Sequence, residues 1–350
     1  MRSRMLRSIL FLSLLYLPSE AAWNIYTTIY YVSPSGNDSQ NCGHWATSPC
    51  KSLDAAFTIA FDGGGSANST LISAAKGNYT LAKSFNITNV DTFALVGQGS
   101  RSDEVRITCE PDVSLSFILC QNIALEGLTL LRCGGWREST IGINKSAHAG
   151  QKHQGVKFKT ALDFRYCRNT RFTNIEISSS PGLGVNFFDV GGVVNFTDCV
   201  LADNKADNKS LNGSPLEGFI KEGYVYSGGG IYMILNKYGD NAVNVTRSQH
   251  DSFQHNNTYV FRNCYFLRNE AFGSNASSTY DHIGNPGPTQ FSLGGGLAVN
   301  FRGNASNCKT EIESCVFIGN QAFWGGGLQV ETRDEVTNNR ILHFTTILGF

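Results

Sequence analysis

Apolar residues along this chain follow a pattern that alternates, breaks once and resumes. In three segments, Phe196 to Ala206, Phe261 to Ala271 and Ile312 to Ala322, a large apolar residue stands three before a cysteine and another two after it. The cysteines are Cys199, Cys264 and Cys315, and each is followed at a fixed distance by Asn204, Asn269 or Asn320. A glycine triplet and an alternating strand come next, at Gly228 to Gly230, Gly294 to Gly296 and Gly325 to Gly327. Fainter copies run from Leu125 to Leu130, from Phe172 to Ile177 and from Phe344 to Ile347. A flat strand alternates with period two, so this spacing needs a bend just before the central residue. That place is held by Gly127, Asn174, Asp198, Asn263, Ser314 or Thr346, types that suit a tight turn. Strands on both sides of the bend can then aim their apolar side chains into one interior, and stacked repeats would align the bend residues in a ladder.

The repeat interval, shortest between Ile175 and Cys199, is that of a solenoid coil. The fold class expected is all-β, a right-handed parallel β-helix with a short N-terminal capping helix. A leucine-rich repeat or a propeller would need a different frame, and a sandwich does not demand a recurrent Cys-Asn-Ala interval followed by glycines. Between Pro49 and Ala60 the residues Leu53, Ala56, Phe57 and Ala60 have helical spacing, which predicts a helix covering the open end of the solenoid. Residues 71–73, 79–81, 85–87 and 93–96 read as the first short strands.

The first 21 residues hold Arg2, Arg4 and Arg7, then the apolar run Ile9 to Leu17, then Pro18, Ser19 and Ala21, the pattern of a cleaved signal peptide. The expected organisation is therefore residues 1–21 as signal, 22–62 as N-terminal segment and cap, and 63–350 as β-helix. With Ile347 at a central position, Phe350 falls before the expected asparagine, so the sequence is expected to stop in mid-coil and to belong to a longer parent or end in a frayed coil. No later segment is apolar for long enough to span a membrane, so any span would lie in such a parent.

Asn-x-Ser/Thr acceptors stand at Asn37, Asn68, Asn78, Asn86, Asn144, Asn208, Asn244, Asn256, Asn275 and Asn304. Asn195 and Asn212 also match, but one lies in a predicted strand and the other closely precedes Pro215. Ten cysteines fit an oxidising compartment. Cys42 with Cys50 and Cys109 with Cys120 are the disulfide candidates, whereas Cys199, Cys264 and Cys315 are expected to stack inside as small apolar residues. Lys+Arg and Asp+Glu both number 28, so no basic field exists to hold nucleic acid.

Tyr31 to Ser39 with Cys42 and Cys50, the segment from Ile123 to Gly134, and the Cys-Asn-Ala-glycine coils resemble the pectin-lyase-like superfamily. More closely, they resemble right-handed β-helix repeat proteins of the secreted or ectodomain type seen in sponges and cnidarians. The resemblance spans about residues 30 to 350 and implies an extracellular repeat region. Polysaccharide lyases and hydrolases share this fold, yet no Asp-Asp pair or Gly-His-Gly segment occurs, and Asp189, Asp198, Asp203 and Asp207 do not form the carboxylate pattern of such enzymes. Asp163, Asp189 and Arg165 read as solvated charges on an outer face. His148, His153, His250, His255 and His282 lack zinc-ligand spacing, so neither metal nor cofactor is expected, and no catalytic residue is assigned.

Two inserts, 207–226 and 273–292, interrupt successive coils at the same turn and should emerge side by side. They would present Phe219, Tyr224, Tyr226, Tyr280, Asp281, His282 and Phe291 as a recognition surface, unless these aromatics merely pack the inserts onto the solenoid. The expected function is a non-catalytic extracellular recognition, adhesion or receptor-ectodomain module for a glycan or protein. A secreted polysaccharide lyase or glycoside hydrolase and a structural matrix spacer are the alternatives.

Overall fold

The computed structural model describes residues 26–62, 69–139, 156–206, 211–212, 229–235, 252–253, 255–271, 279–280, 286–287, 294–301, 305–322, 326–332 and 340–342. A first parallel sheet stacks Thr28–Val32, Ser69–Ala74, Thr92–Gly97, Gln121–Leu131, Arg168–Ser178, Gly191–Thr197, Thr258–Arg262, Lys309–Glu313 and Arg340–Leu342 in that order. A second stacks Phe85–Thr88, Leu115–Ile118, Val156–Arg165, Leu183–Phe188, Ile231–Leu235, Leu297–Phe301 and Leu328–Thr332. The chain visits the first sheet, crosses to the second and returns one rung further on, which is the right-handed parallel β-helix expected from the repeats. One cluster of buried side chains, drawn from both sheets, fills the interior from Tyr30 to Phe317.

The expected bend is present in every described repeat. Gly127, Asn174, Asp198, Asn263 and Ser314 have φ of 65°, 51°, 55°, 53° and 52°, the left-handed region in which glycine and short polar side chains are least penalised. Asn263 donates from Nδ2 to Asp198 Oδ1 at 3.1 Å, so the bends do form a ladder. Thr346 lies outside the described residues. Beyond the bend, Val200–Ala202, Tyr265–Leu267 and Val316–Ile318 pair in parallel across coils, and Cys199, Cys264 and Cys315 are buried in a column. Each thiol reaches a carbonyl of the preceding coil, Cys264 to Phe196 O at 3.6 Å and Cys315 to Phe261 O at 3.4 Å. Hydrogen bonding to Cys199, then burial, raises the Cys264 thiol above its ordinary value, so it stays protonated.

The template asparagines are also interior. Asn204 donates from Nδ2 to Ile177 O at 3.0 Å and to Asn269 Oδ1 at 2.9 Å. Asn269 repeats this toward Leu201 O at 2.8 Å and Asn320 Oδ1 at 3.0 Å. Each Oδ1 in turn accepts a backbone N–H one coil back, Ser180 on Asn204 and Asn204 on Asn269. One amide therefore satisfies the turn of two coils, where an unpaired buried group would cost about 1–3 kcal/mol. The glycine triplets need a correction. Of their described members only Gly294 has positive φ, 60°, whereas Gly229, Gly230, Gly295, Gly296 and Gly326 are held to glycine by close approach: a Cβ on Gly230 would meet Gly296 O at 2.4 Å, and one on Gly296 would meet Gly327 O at 2.6 Å.

The cap forms as the spacing predicts. Ser52 Oγ accepts from Ala55 N at 3.1 Å and starts the helix Leu53–Phe57, which a wider turn, Thr58–Asp62, prolongs. Leu53, Ala56, Phe57 and Ala60 are buried, and Phe57 stacks on Phe85 at 4.8 Å. Asp54 accepts from Ala82 N and ties the helix to the first coil. The loop closed by the Cys42–Cys50 disulfide lies along the outer edge of Thr28–Val32, with Tyr31 N on Gly43 O at 2.8 Å and Cys50 N on Tyr31 O at 2.9 Å. No helix among the described residues is long and apolar enough to cross a membrane.

The second expected disulfide is wrong. Cys109 bonds to Cys133, not Cys120, because Cys120 begins a thiol stack of its own, beside Cys167 of the next coil. Burial raises Cys167 well above the ordinary thiol value. Peptide mapping without reduction should recover Cys109 linked to Cys133 and Cys120 free. Cys133→Ser should cost about 3 kcal/mol from the loop it opens. A Cys109–Cys120 peptide would contradict this pairing.

Candidate functional site

Between the second sheet and the first, the chain makes another left-handed turn that repeats from coil to coil. Asn89, Leu119, Tyr166 and Asp189 have φ of 55°, 56°, 52° and 48°. Each is followed by a buried residue, Val90, Cys120, Cys167 or Val190, and then by the first residue of the next crossing, Asp91, Gln121, Arg168 or Gly191. Positive φ is unusual for bulky Leu119 and Tyr166; these two side chains pack outside the interior, whereas Cys120 and Cys167 after them pack inside it. Three rungs of this stack, Asn89 with Asp91, Leu119 with Gln121 and Tyr166 with Arg168, line a cleft of about 300 Å³ closed at one end by Ser252 and Phe253.

The walls are held from behind. The Arg168 guanidinium lies 5.0 Å over the Phe253 ring and donates from Nη2 to Ser252 O at 2.6 Å. Phe253 meets Tyr166 edge to face at 5.7 Å, and Tyr166 meets Phe188 at 5.8 Å. On the outer rim Asn122 Nδ2 donates to Asp91 O at 3.1 Å, Asn169 Nδ2 to Asn122 Oδ1 at 3.1 Å, and Val193 N to Asn169 Oδ1 at 3.2 Å. This leaves a carboxylate, a carboxamide and a positioned guanidinium lining one space, with the buried rings of Tyr166 and Phe253 behind it. Such a set can exchange several hydrogen bonds with vicinal hydroxyls, and the cleft is at the small end of ligand pockets.

The acidic and basic residues read as solvated outer-face charges are not solvated. Asp163 and Arg165 do point away from the interior, since Leu162 and Phe164 between and beside them pack inward. Yet the outer face of the second sheet is itself buried, and Asp163, Arg165 and Asp189 are 0%, 4% and 0% exposed. Asp163 Oδ2 accepts from Arg165 Nε at 2.9 Å and Ser116 Oγ at 3.3 Å, while Oδ1 accepts from Asn186 Nδ2 at 2.7 Å. Phe158, Phe188, Tyr232, Ile234 and Ala298 surround this network as a second apolar cluster. A carboxylate so enclosed and so satisfied is closed to a polymer chain. Asp198 and Asp203 are bend residues, and Asp203 is held below its ordinary value by Arg268.

Of the insert residues, Phe219, Tyr224, Tyr226, Asp281, His282 and Phe291 lie outside the described residues, and Tyr280 belongs to the strand Thr279–Tyr280, antiparallel to Pro286–Gly287. The cleft was not among the sequence candidates. Its signal was present as a second repeat, Leu119-Cys-Gln-Asn and Tyr166-Cys-Arg-Asn, one coil apart. Among the described residues one cluster has metal-ligand distances, Asp38 with Cys42 and Cys50; the two sulfurs are bonded to each other, and Asp38 Oδ1 accepts from Lys51 N and Ser52 N.

No protein-family model matches the sequence, and no curated protein matches it significantly. Among solved structures the chain is similar to a rhamnogalacturonan lyase, with 12% identity and a TM-score of 0.40 over 90% of this chain and 66% of that one. It is also similar to the ORF18 protein of Geobacillus virus E2, with 11% identity and a TM-score of 0.40 over 84% and 50% of the two chains. A pectate lyase gives 14% identity and a TM-score of 0.37 over 87% and 68%. Likeness at this level transfers no activity, and the architecture above stands on the chain's own strand pairing.

Proposed function

We propose that this protein is a non-catalytic extracellular recognition module that binds a glycan in the cleft of Asp91, Gln121 and Arg168. The observation that carries the reading is the make-up of that cleft: planar polar side chains from successive coils, with the buried rings of Tyr166 and Phe253 packed behind them. Planar side chains pair with neighbouring hydroxyls through two bonds at once. The signal-like segment 1–21 and two disulfides support an oxidising, extracellular setting. Burial of Asp163 and Arg165 speaks against polysaccharide cleavage at that pair.

Calorimetric titration of the secreted protein with neutral and acidic polysaccharides tests the reading. Arg168→Ala and Gln121→Ala should each weaken binding about tenfold or more, equivalent to ~1.4 kcal/mol, with the thermal transition little changed for Gln121→Ala. Binding that is indifferent to both removes the cleft. New reducing or unsaturated ends in the same mixtures would make the protein an enzyme and overturn the non-catalytic assignment.

A further inference from the structure

The turn stack that lines the cleft has no side chain on its fourth rung. Asp91, Gln121 and Arg168 hold the lining position on three successive coils, and Gly191 is in register with Arg168 on the next. The space that a side chain would take there belongs to Phe253. A Cβ on Gly191 would lie 3.0 Å from Asn257 Oδ1 and 3.4 and 3.5 Å from Cδ1 and Cα of Phe253, so nothing longer fits beside that ring. Ser252 and Phe253 lead into Thr258–Arg262, the rung after Gly191–Thr197, yet they reach back across it to Arg168 and Tyr166. Asn257 fixes that reach. It is 1% exposed, donates from Nδ2 to Phe253 O at 2.6 Å and accepts on Oδ1 from Gly192 N at 2.8 Å. One carboxamide therefore ties the returning segment to the backbone beside the notch.

We infer that the cleft takes the end of a glycan chain, with Phe253 setting this specificity by blocking passage along the coil stack. The inference rests on the glycan recognition proposed above and adds where on the polymer it acts. Three rungs at ~4.8 Å spacing span about 10 Å, roughly the length of a disaccharide. A chain laid along the rungs from Asp91 toward Arg168 meets Phe253 after that distance. An internal stretch of polymer would have to leave through the place that Phe253 fills, whereas a terminal sugar needs no exit. Phe253 is not easily displaced, because its ring is buried against Tyr166 and under the Arg168 guanidinium. Moving it would also give up the bonds from Arg168 to Ser252 O and from Asn257 to Phe253 O.

Calorimetric titration of the secreted protein with linear neutral glucans and linear polyuronates, size-fractionated from disaccharide to long chain, tests the inference by stoichiometry. The wild type should bind one protein per chain at every length, and the disaccharide should compete with the long chain when the two are matched in molar concentration of ends. Counts that rise in proportion to chain length would overturn the chain-end assignment and leave glycan recognition standing. No binding by any of these probes would overturn both. F253A, checked for folding by circular dichroism, should bind several proteins per long chain, because the notch beside Gly191 then lets the polymer through. One protein per chain in the folded variant would take the specificity away from Phe253. The wild-type count decides the chain-end assignment whether or not the variant folds.

Discussion

Asn269→Leu should destabilise the protein by about 3–5 kcal/mol, read as a lower urea midpoint, with loss of cooperativity across the coils around it. The side chain is fully buried and takes part in four hydrogen bonds, two through Oδ1 to Asn204 and two from Nδ2 to Leu201 O and Asn320 Oδ1. Leucine has similar bulk, so the loss is polar: Asn204 N loses its partner in the buried turn, and Asn204 Nδ2, Leu201 O and Asn320 Oδ1 each lose one bond, at ~1–3 kcal/mol for a buried group left unsatisfied. Asn320→Leu should cost less, because Asn320 is half-buried and water can reach the groups it abandons. If Asn269→Leu costs under about 1 kcal/mol, or no more than Asn320→Leu, the ladder does not hold the coils in register.

Asp163→Leu should be about as damaging, ~3–5 kcal/mol, because it leaves the Arg165 guanidinium, whose side chain is 5% exposed, without the carboxylate beside it. The double variant Asp163→Leu, Arg165→Met should recover most of that loss, since a buried pair replaced by apolar groups of similar volume is often neutral or better. The network is walled by Phe158, Phe188 and Ile234, which can pack against such replacements. Urea denaturation of the four members of this cycle decides the matter. A double variant no more stable than Asp163→Leu would mean that Asn186 and Ser116 need the carboxylate for reasons of their own.

The sequence made the solenoid legible because its period is written in residues with few alternatives. A bend before a cysteine, an asparagine at a fixed distance and a glycine triplet at the next strand recur together, and each proved to be a structural requirement at Asp198, Asn204 and Gly230. The cap helix was legible from four apolar positions. Cys109 was misassigned because pairing by shortest loop ignores the rung on which each cysteine sits: Cys120 lies in the turn stack with Cys167, and Cys133 lies beside Cys109. Asp163 and Arg165 were misread for a related reason. Alternation does place them on the outer face, but alternation says nothing about whether that face meets water. The cleft was the hardest feature to see, since its walls come from Asp91, Gln121 and Arg168, each on a different coil.

The stacking of parallel strands also sets how this protein answers to force. Backbone hydrogen bonds between rungs run along the solenoid axis, from Gly230 N to Gly295 O and from Gly296 N to Gly327 O among many. Tension applied along that axis opens one rung at a time, as a zip opens, and the Asn204–Asn269–Asn320 amides are then the links that must break in sequence. Tension applied across the axis, along the strands, must slide a whole rung past its neighbours and load all of its bonds together. A module of this build is compliant when pulled end to end and stiff when pulled from the side.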